Sequence, residues 1–151
     1  GLPSDLRLAE SPRQALAEAD IVCTATTSAE PVFADHELRE GVHINGVGSY
    51  TPEMAEIPAE TVQRARVVID HRQAALQEAG DLIQPLRRGL ITPEHCQTEL
   101  GDIIVGRQAG RENPRQITFF KSVGVAVQDA AAAQLALANA RAWNLGTVVP
   151  F

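Results

Sequence analysis

Aromatic side chains and positive charge are both scarce in this chain. Only 4% of its 151 residues are aromatic, which disfavours a surface that stacks nucleic-acid bases. There are 13 Lys and Arg residues against 19 Asp and Glu residues, a net charge of -6 at pH 7. Binding to a phosphate backbone depends on clustered basic residues, so we expect no nucleic-acid partner. Any nucleotide that binds would be held by local dipoles.

Cysteine and long apolar runs are also lacking. The two cysteines, Cys23 and Cys96, have no CxxC or Cys/His spacing that would predict zinc or a disulfide framework. No apolar run reaches the roughly 20 residues that span a bilayer, and residues 1–5 have no features of a signal peptide. We therefore expect no metal, no membrane partner and a cytoplasmic location.

What the sequence does contain is an alternation of apolar strands and helical segments. Strands are predicted at residues 20–28, 42–47, 66–70 and 117–120, with a short extended segment at 6–9 and an extended tail at 146–151. Helices are predicted at residues 11–19 with Ser11 as N-cap, 31–38, 58–65, 71–79 ended by Gly80, 98–104 and 125–142. This order predicts an α/β fold with a parallel sheet and a long C-terminal helix.

The most informative stretch is residues 43–54, where a short apolar strand runs into a loop with Gly46, Gly48, Ser49 and Pro52. Glycine has no Cβ, so a ligand can approach the backbone of such a loop closely. Ligands of open parallel sheets bind outside the carboxyl ends of the strands. Four segments are predicted at such ends: 26–28, 47–50, 70–71 and 121–124. The G-x-G-x-x-G fingerprint is absent, since Thr51 stands where its third glycine would be.

Five blocks in order, at residues 19–28, 41–57, 67–82, 98–111 and 117–133, resemble the ornithine cyclodeaminase/mu-crystallin family. That family combines a Rossmann NAD(P) domain with a domain that carries substrate contacts and the dimer interface. The resemblance implies that residues 1–151 form the C-terminal part of a doubly wound, Rossmann-like domain, followed by the long helix and tail. The glycine-loop βαβ unit and the substrate and dimerisation domain would be absent. We therefore expect this chain alone to be inactive, and the full-length protein to be a homodimer.

The resemblance also implies which residues contact NAD(P)H. Thr26 would lie near the cofactor, the backbone from Val47 to Tyr50 would follow the nicotinamide ring, and Ser122 would touch its nicotinamide side. The implied cofactor contacts are Thr26, Thr27, Val47, Gly48, Ser49, Tyr50 and Ser122. Val123 would face the small imino- or amino-acid substrate. Lys121 would orient its loop or meet a carboxylate, and with Val123 it is a candidate substrate contact.

At one important position the family pattern fails. Ornithine cyclodeaminases and related alanine dehydrogenases carry a proton-handling aspartate where this chain has Tyr50, and Met54 replaces their lysine. A tyrosine with pKa near 10 is a poor base at neutral pH, whereas reduction of a preformed ketimine requires no such base. The resemblance therefore favours an NAD(P)H-dependent ketimine reductase. The alternatives are an ornithine cyclodeaminase, an alanine-type amino-acid dehydrogenase and a non-catalytic binding protein.

Plainer interpretations stay open for the same residues. Thr24 and Thr26 suit a β-strand, and Gly46 with Gly48 suits a turn or a bulge. Tyr50 is either a proton donor or part of a pocket wall. Two acids, Asp70 and Asp81, suit helix caps, and we expect the four histidines to be structural or surface residues: His36, His43, His71 and His95.

Overall fold

A computed structural model describes residues 5–149. Within that range the chain forms a four-stranded sheet, and every pairing in it is parallel. Its strands are β1 (Ile21–Thr24), β2 (His43–Gly46), β3 (Arg66–Ile69) and β4 (Thr118–Lys121), in the spatial order β1-β2-β4-β3. The predicted α/β fold with a parallel sheet is confirmed.

Helices occupy most of the connections. They are α1 (Pro12–Leu16), α2 (Ala59–Arg64), α3 (Arg72–Glu78), α4 (Gly80–Arg87), α5 (Leu100–Ile104) and the long α6 (Ala126–Ala142). Short 3-10 turns lie at Asp35–Glu37 and Pro93–Cys96. Ser11 caps α1 as predicted, since its hydroxyl accepts from the amide of Gln14 at 3.2 Å. Among residues 5–149, no helix is long and apolar enough to cross a membrane.

Several boundaries differ from the sequence-based prediction. β1 ends at Thr24, earlier than predicted. The amide of Thr26, two residues further along, donates to the carboxylate of Glu56 and not to a neighbouring strand. α1 ends at Leu16, and residues 6–9 and 147–149 have no regular secondary structure. Residues 150–151 of the predicted tail lie outside the described range.

Gly80 was expected to end a helix, and this is only half correct. α3 does stop before it, but Gly80 is itself the first residue of α4. A Cβ at Gly80 would lie 1.9 Å from the carbonyl oxygen of Met54 and 2.7 Å from that of Thr51. The glycine is therefore required by a close approach of α4 to the loop after β2.

One face of the sheet is closed by a hydrophobic core. Val22, Ile44, Phe119 and Val67 stand side by side in register across the four strands, and each is buried. Side chains from the helices complete this layer, among them Leu16, Val62, Ala75 and Leu82. Because this core lies within the chain, it holds the carboxyl ends of all four strands at one edge.

The opposite face is largely open. A groove of about 530 Å³ runs between the sheet and α5, lined on the strands by His43, Asn45, Val68, Thr118 and Phe120 and on α5 by Leu100 and Ile103. At the outer strand, Ile21 is 66% exposed. In the described structure α6 buries none of its residues. The chain thus completes one face of its sheet and leaves the other uncovered.

Candidate functional site at the carboxyl edge of the sheet

The loops that follow the strands leave the sheet side by side. Thr24 and Gly46 are paired in register, and Gly46 is paired with Lys121 on its other side. The amide of Val47 donates to the carbonyl of Thr24 at 2.9 Å, and the amide of Ser122 donates to the carbonyl of Gly46 at 3.1 Å. The predicted convergence of these segments on one edge is therefore present.

A buried carboxylate, that of Glu56, joins two of these loops. One of its oxygens, Oε1, accepts from the amide of Thr26 at 2.5 Å. The other, Oε2, accepts from the amides of Gly48 at 2.8 Å and Ser49 at 3.2 Å, and from the hydroxyl of Thr24 at 3.0 Å. Glu56 therefore connects the loop after β1 to the loop after β2.

These donors determine the charge of Glu56. Burial acts to raise the pKa of its carboxyl, but the hydrogen bonds from Thr26, Thr24 and Gly48 outweigh burial and lower that pKa below its ordinary value. The carboxylate is therefore ionised at neutral pH, and it can accept all four bonds at once.

Gly48 is required by the closeness of the two loops. A Cβ at this position would lie 2.1 Å from the carbonyl oxygen and 2.4 Å from the nitrogen of Thr26. Both atoms belong to the backbone, so no side-chain rotation could relieve the contact. The simple turn or bulge considered for Gly46 and Gly48 does not describe Gly48, whose neighbour is another strand-end loop.

A second buried acid, Asp81, accepts a hydrogen bond from the backbone of Glu56. Its Oδ1 accepts from the amides of Glu56 at 2.7 Å and Ile57 at 3.0 Å, and its Oδ2 lies 3.3 Å from Nζ of Lys121. Asp81 is therefore not a helix cap, since the N-cap of α4 is Ala79. Burial raises the pKa of Asp81 and lowers that of Lys121, while their mutual attraction opposes both effects.

Lys121 was expected to orient its loop or to meet a carboxylate, and it was a candidate contact to the substrate. The structure gives it a carboxylate of the protein, Asp81, and both side chains are fully buried. Lys121 therefore offers no surface to a substrate in this arrangement. It links the end of β4 to the segment that carries Glu56.

Asp70 holds the loop after β4. Its Oδ2 accepts from the hydroxyl of Ser122 at 2.8 Å and from the amides of Val123 at 3.0 Å and Gly124 at 2.9 Å. Asp70 was considered as a helix cap, but the N-cap of α3 is His71, whose Nδ1 accepts from the amide of Ala74 at 3.4 Å. The structural role expected of His71 is thus present. Asp70 orders the segment that contains two predicted ligand contacts.

The predicted contacts differ in how much surface they present. Val47 is 50% exposed and Tyr50 is 51% exposed, and both Thr26 and Thr27 are exposed. Ser122 and Val123 are half-buried. Ser49, by contrast, is fully buried, and its hydroxyl donates to the carbonyl of Met54 at 3.0 Å. Ser49 therefore shapes the loop from inside, and its neighbours form the surface that a ligand would meet.

Sequence reasoning missed Glu56 as a functional residue. A signal for it exists: Glu56 stands between Ala55 and Ile57, in a segment that is otherwise apolar and followed by a proline. An acid so placed is buried only if donors surround it, because an unpaired buried charge is costly. Asp81, between Gly80 and Leu82, carries the same signal. In the described part of the chain, no three Asp, Glu, His or Cys side chains are placed to hold a metal ion.

Comparison with known proteins shows the family of this chain. Residues 3–144 match the sequence profile of the ornithine cyclodeaminase/mu-crystallin family. The chain belongs to this family. The resemblance found in the five sequence blocks is confirmed.

Individual family members are similar over nearly the whole chain. A Delta(1)-pyrroline-2-carboxylate reductase of Bacillus cereus is 43% identical, covering 94% of this chain and 44% of the relative. Ketimine reductase mu-crystallin of Mus musculus is 34% identical, covering 87% of this chain and 39% of the relative. The structure of Thermococcus litoralis Delta(1)-pyrroline-2-carboxylate reductase, in complex with NADH and L-proline, superimposes with a TM-score of 0.86 at 43% identity, covering 93% of this chain and 44% of that one. The chain spans less than half the length of these family members.

Proposed function

We propose that this chain forms the nicotinamide-facing part of an NAD(P)H-dependent reductase of cyclic ketimine carboxylates. One observation carries the proposal: the three carboxylates near the edge, Glu56, Asp70 and Asp81, are all engaged by donors of the protein. Two of them, Glu56 and Asp81, are also buried. None is thus placed to act as the general base that deamination of ornithine requires. Reduction of an imine that arrives protonated requires no such base.

The exposed residues suit a nicotinamide ring. Val47 offers an apolar side chain, and the hydroxyls of Thr26 and Thr27 offer polar contacts to a carboxamide or a ribose. Gly48 lets the loop after β2 lie against the backbone of Thr26, so that the two loops would present one continuous surface to the ring. The negative charge of Glu56 lies behind these loops, and the dipoles of their amides partly offset its repulsion of a phosphate-bearing cofactor. When bound, the cofactor would supply hydride to the electrophilic carbon of the C=N bond.

The residues on the substrate side have simpler roles. Val123 would limit the space for the substrate, and Ser122 would be held toward the ring by its bond to Asp70. Tyr50 would line the pocket, with its hydroxyl able to donate a hydrogen bond to the substrate. Because a protonated imine carries its own proton, the product amine forms without proton transfer from Tyr50. The names of the reductases to which the chain is similar support this choice of substrate.

The open side of the fold suits an upstream half of the same protein. In this proposal the groove beside α5 and the edge of β1 are covered by the glycine-loop βαβ unit, and the substrate domain supplies the contacts to the carboxylate and the dimer interface. Exposed apolar side chains such as Ile21 would then be buried. The homodimer and the cytoplasmic location stay predictions.

The test is an assay of the full-length protein with NADH or NADPH. Pyrroline-2-carboxylate and piperideine-2-carboxylate should each be reduced with loss of reduced cofactor, and ornithine should release little ammonia. The 151-residue chain alone should be inactive. Tyr50→Phe, which keeps the ring and removes the hydroxyl, should keep activity within about tenfold, the effect of one modest hydrogen bond.

Three outcomes would contradict the proposal. Rapid release of ammonia from ornithine without reduction of either imine would favour a cyclodeaminase. Cofactor binding without turnover of any imine or amino acid would favour the non-catalytic binding protein. Oxidation of alanine with NAD as the main activity would favour an alanine-type dehydrogenase.

A further inference from the structure

We propose that Glu56 is a positioning residue, which sets the distance and orientation of the two loops that face the nicotinamide ring. This inference rests on the proposed cofactor-binding function. Glu56 would not touch the cofactor or the substrate. It would act through the backbone of Thr26 and Gly48, whose places it determines.

The identity of its donors supports this role. Three of the four hydrogen bonds to Glu56 come from backbone amides, and all three lie in the strand-end loops, at Thr26, Gly48 and Ser49. The fourth comes from the hydroxyl of Thr24, the last residue of β1. A carboxylate that served the core alone would have partners in the core. This one is directed at the part of the molecule where a ligand would bind.

The position of Glu56 is itself determined by a second ionic group. Asp81 accepts the amide of Glu56 and forms the buried ion pair with Lys121 at the end of β4. Through Lys121 and Asp81, strand β4 is thus connected to Glu56 and so to the two loops. A displacement of β1, β2 or β4 would change the relative position of Thr26 and Val47, which would face the cofactor.

Exchange of the carboxylate for an amide separates this role from simple packing. Glutamine has the shape of glutamate, but only its oxygen accepts, and its NH2 group donates. If the amide oxygen takes the place of Oε2, the NH2 group faces the N–H of Thr26. If it takes the place of Oε1, the NH2 group faces the N–H groups of Gly48 and Ser49. One of the two loops is released in either orientation.

Asp35 provides a matched control. Its carboxylate is partly buried, and it too accepts from protein donors: the hydroxyl of Thr61 at 2.6 Å and Nε of Arg64 at 2.8 Å. These partners lie on α2, and none belongs to the loops that follow β1 or β2. Asp35→Asn therefore loses a comparable carboxylate without disturbing the proposed cofactor surface.

The experiment compares Glu56→Gln with Asp35→Asn in the full-length protein, using NADH and NADPH as binding probes. The dissociation constant of the reduced cofactor, kcat, and KM for pyrroline-2-carboxylate are measured, with urea denaturation to confirm folding. Glu56→Gln should weaken cofactor binding and lower kcat by about tenfold to a hundredfold each, as expected for loss of buried hydrogen bonds to a charged acceptor. KM for the imine should change far less. Asp35→Asn should change stability only.

Glu56→Asp provides a second variant. It keeps the charge but withdraws the carboxylate by one methylene, about 1.5 Å, so that it cannot reach both loops. The same pattern, weaker cofactor binding with a nearly unchanged imine KM, is expected. Hydrogen exchange should also show faster exchange at the amides of Thr26, Gly48 and Ser49.

Defined results would overturn the inference. Unchanged cofactor binding and kcat in folded Glu56→Gln would do so, as would an equal loss of cofactor binding in Asp35→Asn. Failure of both Glu56 variants to fold, while Asp35→Asn folds, would assign Glu56 a purely structural role. Failure of the proposed function itself is recognised separately, because the unaltered protein would then bind no reduced cofactor or reduce no imine.

Discussion

The carboxyl edge of the sheet and the final helix α6 are held in opposite ways. At the edge, Glu56, Asp81 and Lys121 are buried together, and their partners all belong to this chain. Along α6, over its full described length of 17 residues, no side chain is buried, and Val127, Leu135 and Leu137 are 52–70% exposed. The carboxyl edge of the sheet is thus assembled within this chain, whereas the apolar side chains of α6 have no covering surface among the described residues.

The largest effect is expected from breaking the buried ion pair. Lys121→Met fills a similar space but leaves the Asp81 charge without its partner, and we expect a loss of about 3–5 kcal/mol in the free energy of unfolding. Urea denaturation of the full-length protein measures this loss. Adding Asp81→Asn should recover part of it, because the uncompensated charge is then removed. A loss below about 1 kcal/mol, the range of exposed pairs, would contradict the burial of this pair.

An intermediate effect is expected from crowding the two loops. Gly48→Ala places a methyl group against the backbone of Thr26, so the loops must move apart at a cost of about 1–3 kcal/mol. Under the proposed function, cofactor binding measured by titration should weaken by about tenfold, which corresponds to about 1.4 kcal/mol.

Gly101→Ala is the control for crowding. Gly101 lies in α5, and among the described residues no atom outside its chain neighbours and the backbone of its own helix lies within 4 Å of a Cβ placed there. The substitution should leave cofactor binding unchanged and raise stability by up to about 1 kcal/mol, because alanine is the better helix former. Equal effects of the two substitutions would contradict a special closeness at Gly48.

The smallest effect is expected on α6 and tests its side of the comparison. Leu135 is 63% exposed, so Leu135→Gln in the 151-residue chain should change the free energy of unfolding by no more than about 0.5 kcal/mol. In a full-length protein with the proposed upstream half, the same substitution should cost about 1–3 kcal/mol if that half buries this side chain. Equal, small effects in both would show that α6 stays uncovered and would weaken the proposal of an upstream partner for it.

Much of the fold was predictable because its signals are local. The β-branched runs that form β1 and β3 and the alanine-rich composition of α6 identify those elements from neighbouring residues alone. The glycines at the end of β2 predicted a loop whose backbone a ligand can approach closely, and this stays a prediction; in the structure it is the backbone of Thr26 that lies against Gly48. The second helix after β3, α4, was missed, because Gly80 was interpreted as a helix end when tertiary contact makes it a helix start.

The location of the candidate site was predictable from the sequence, but the buried contacts that hold it together were not. The predicted strand-end segments, 26–28, 47–50, 70–71 and 121–124, indicated the edge, since parallel strands place their carboxyl ends together. The residue that joins the loops, Glu56, lies 32 positions from Thr24, and no periodicity relates the two. Lys121 was predicted as a candidate substrate contact, yet it forms a buried ion pair with Asp81, 40 positions away along the chain.

By itself, the sequence determined the order of the four strands, the family and the edge at which the loops meet, because these depend on short-range patterns and on blocks of matching residues. Only the tertiary structure decided the spatial order β1-β2-β4-β3 and which acids are buried. The physical reason is that a buried carboxylate is stable only where distant amides and cations converge on it. At Glu56 that convergence depends on how the whole sheet packs.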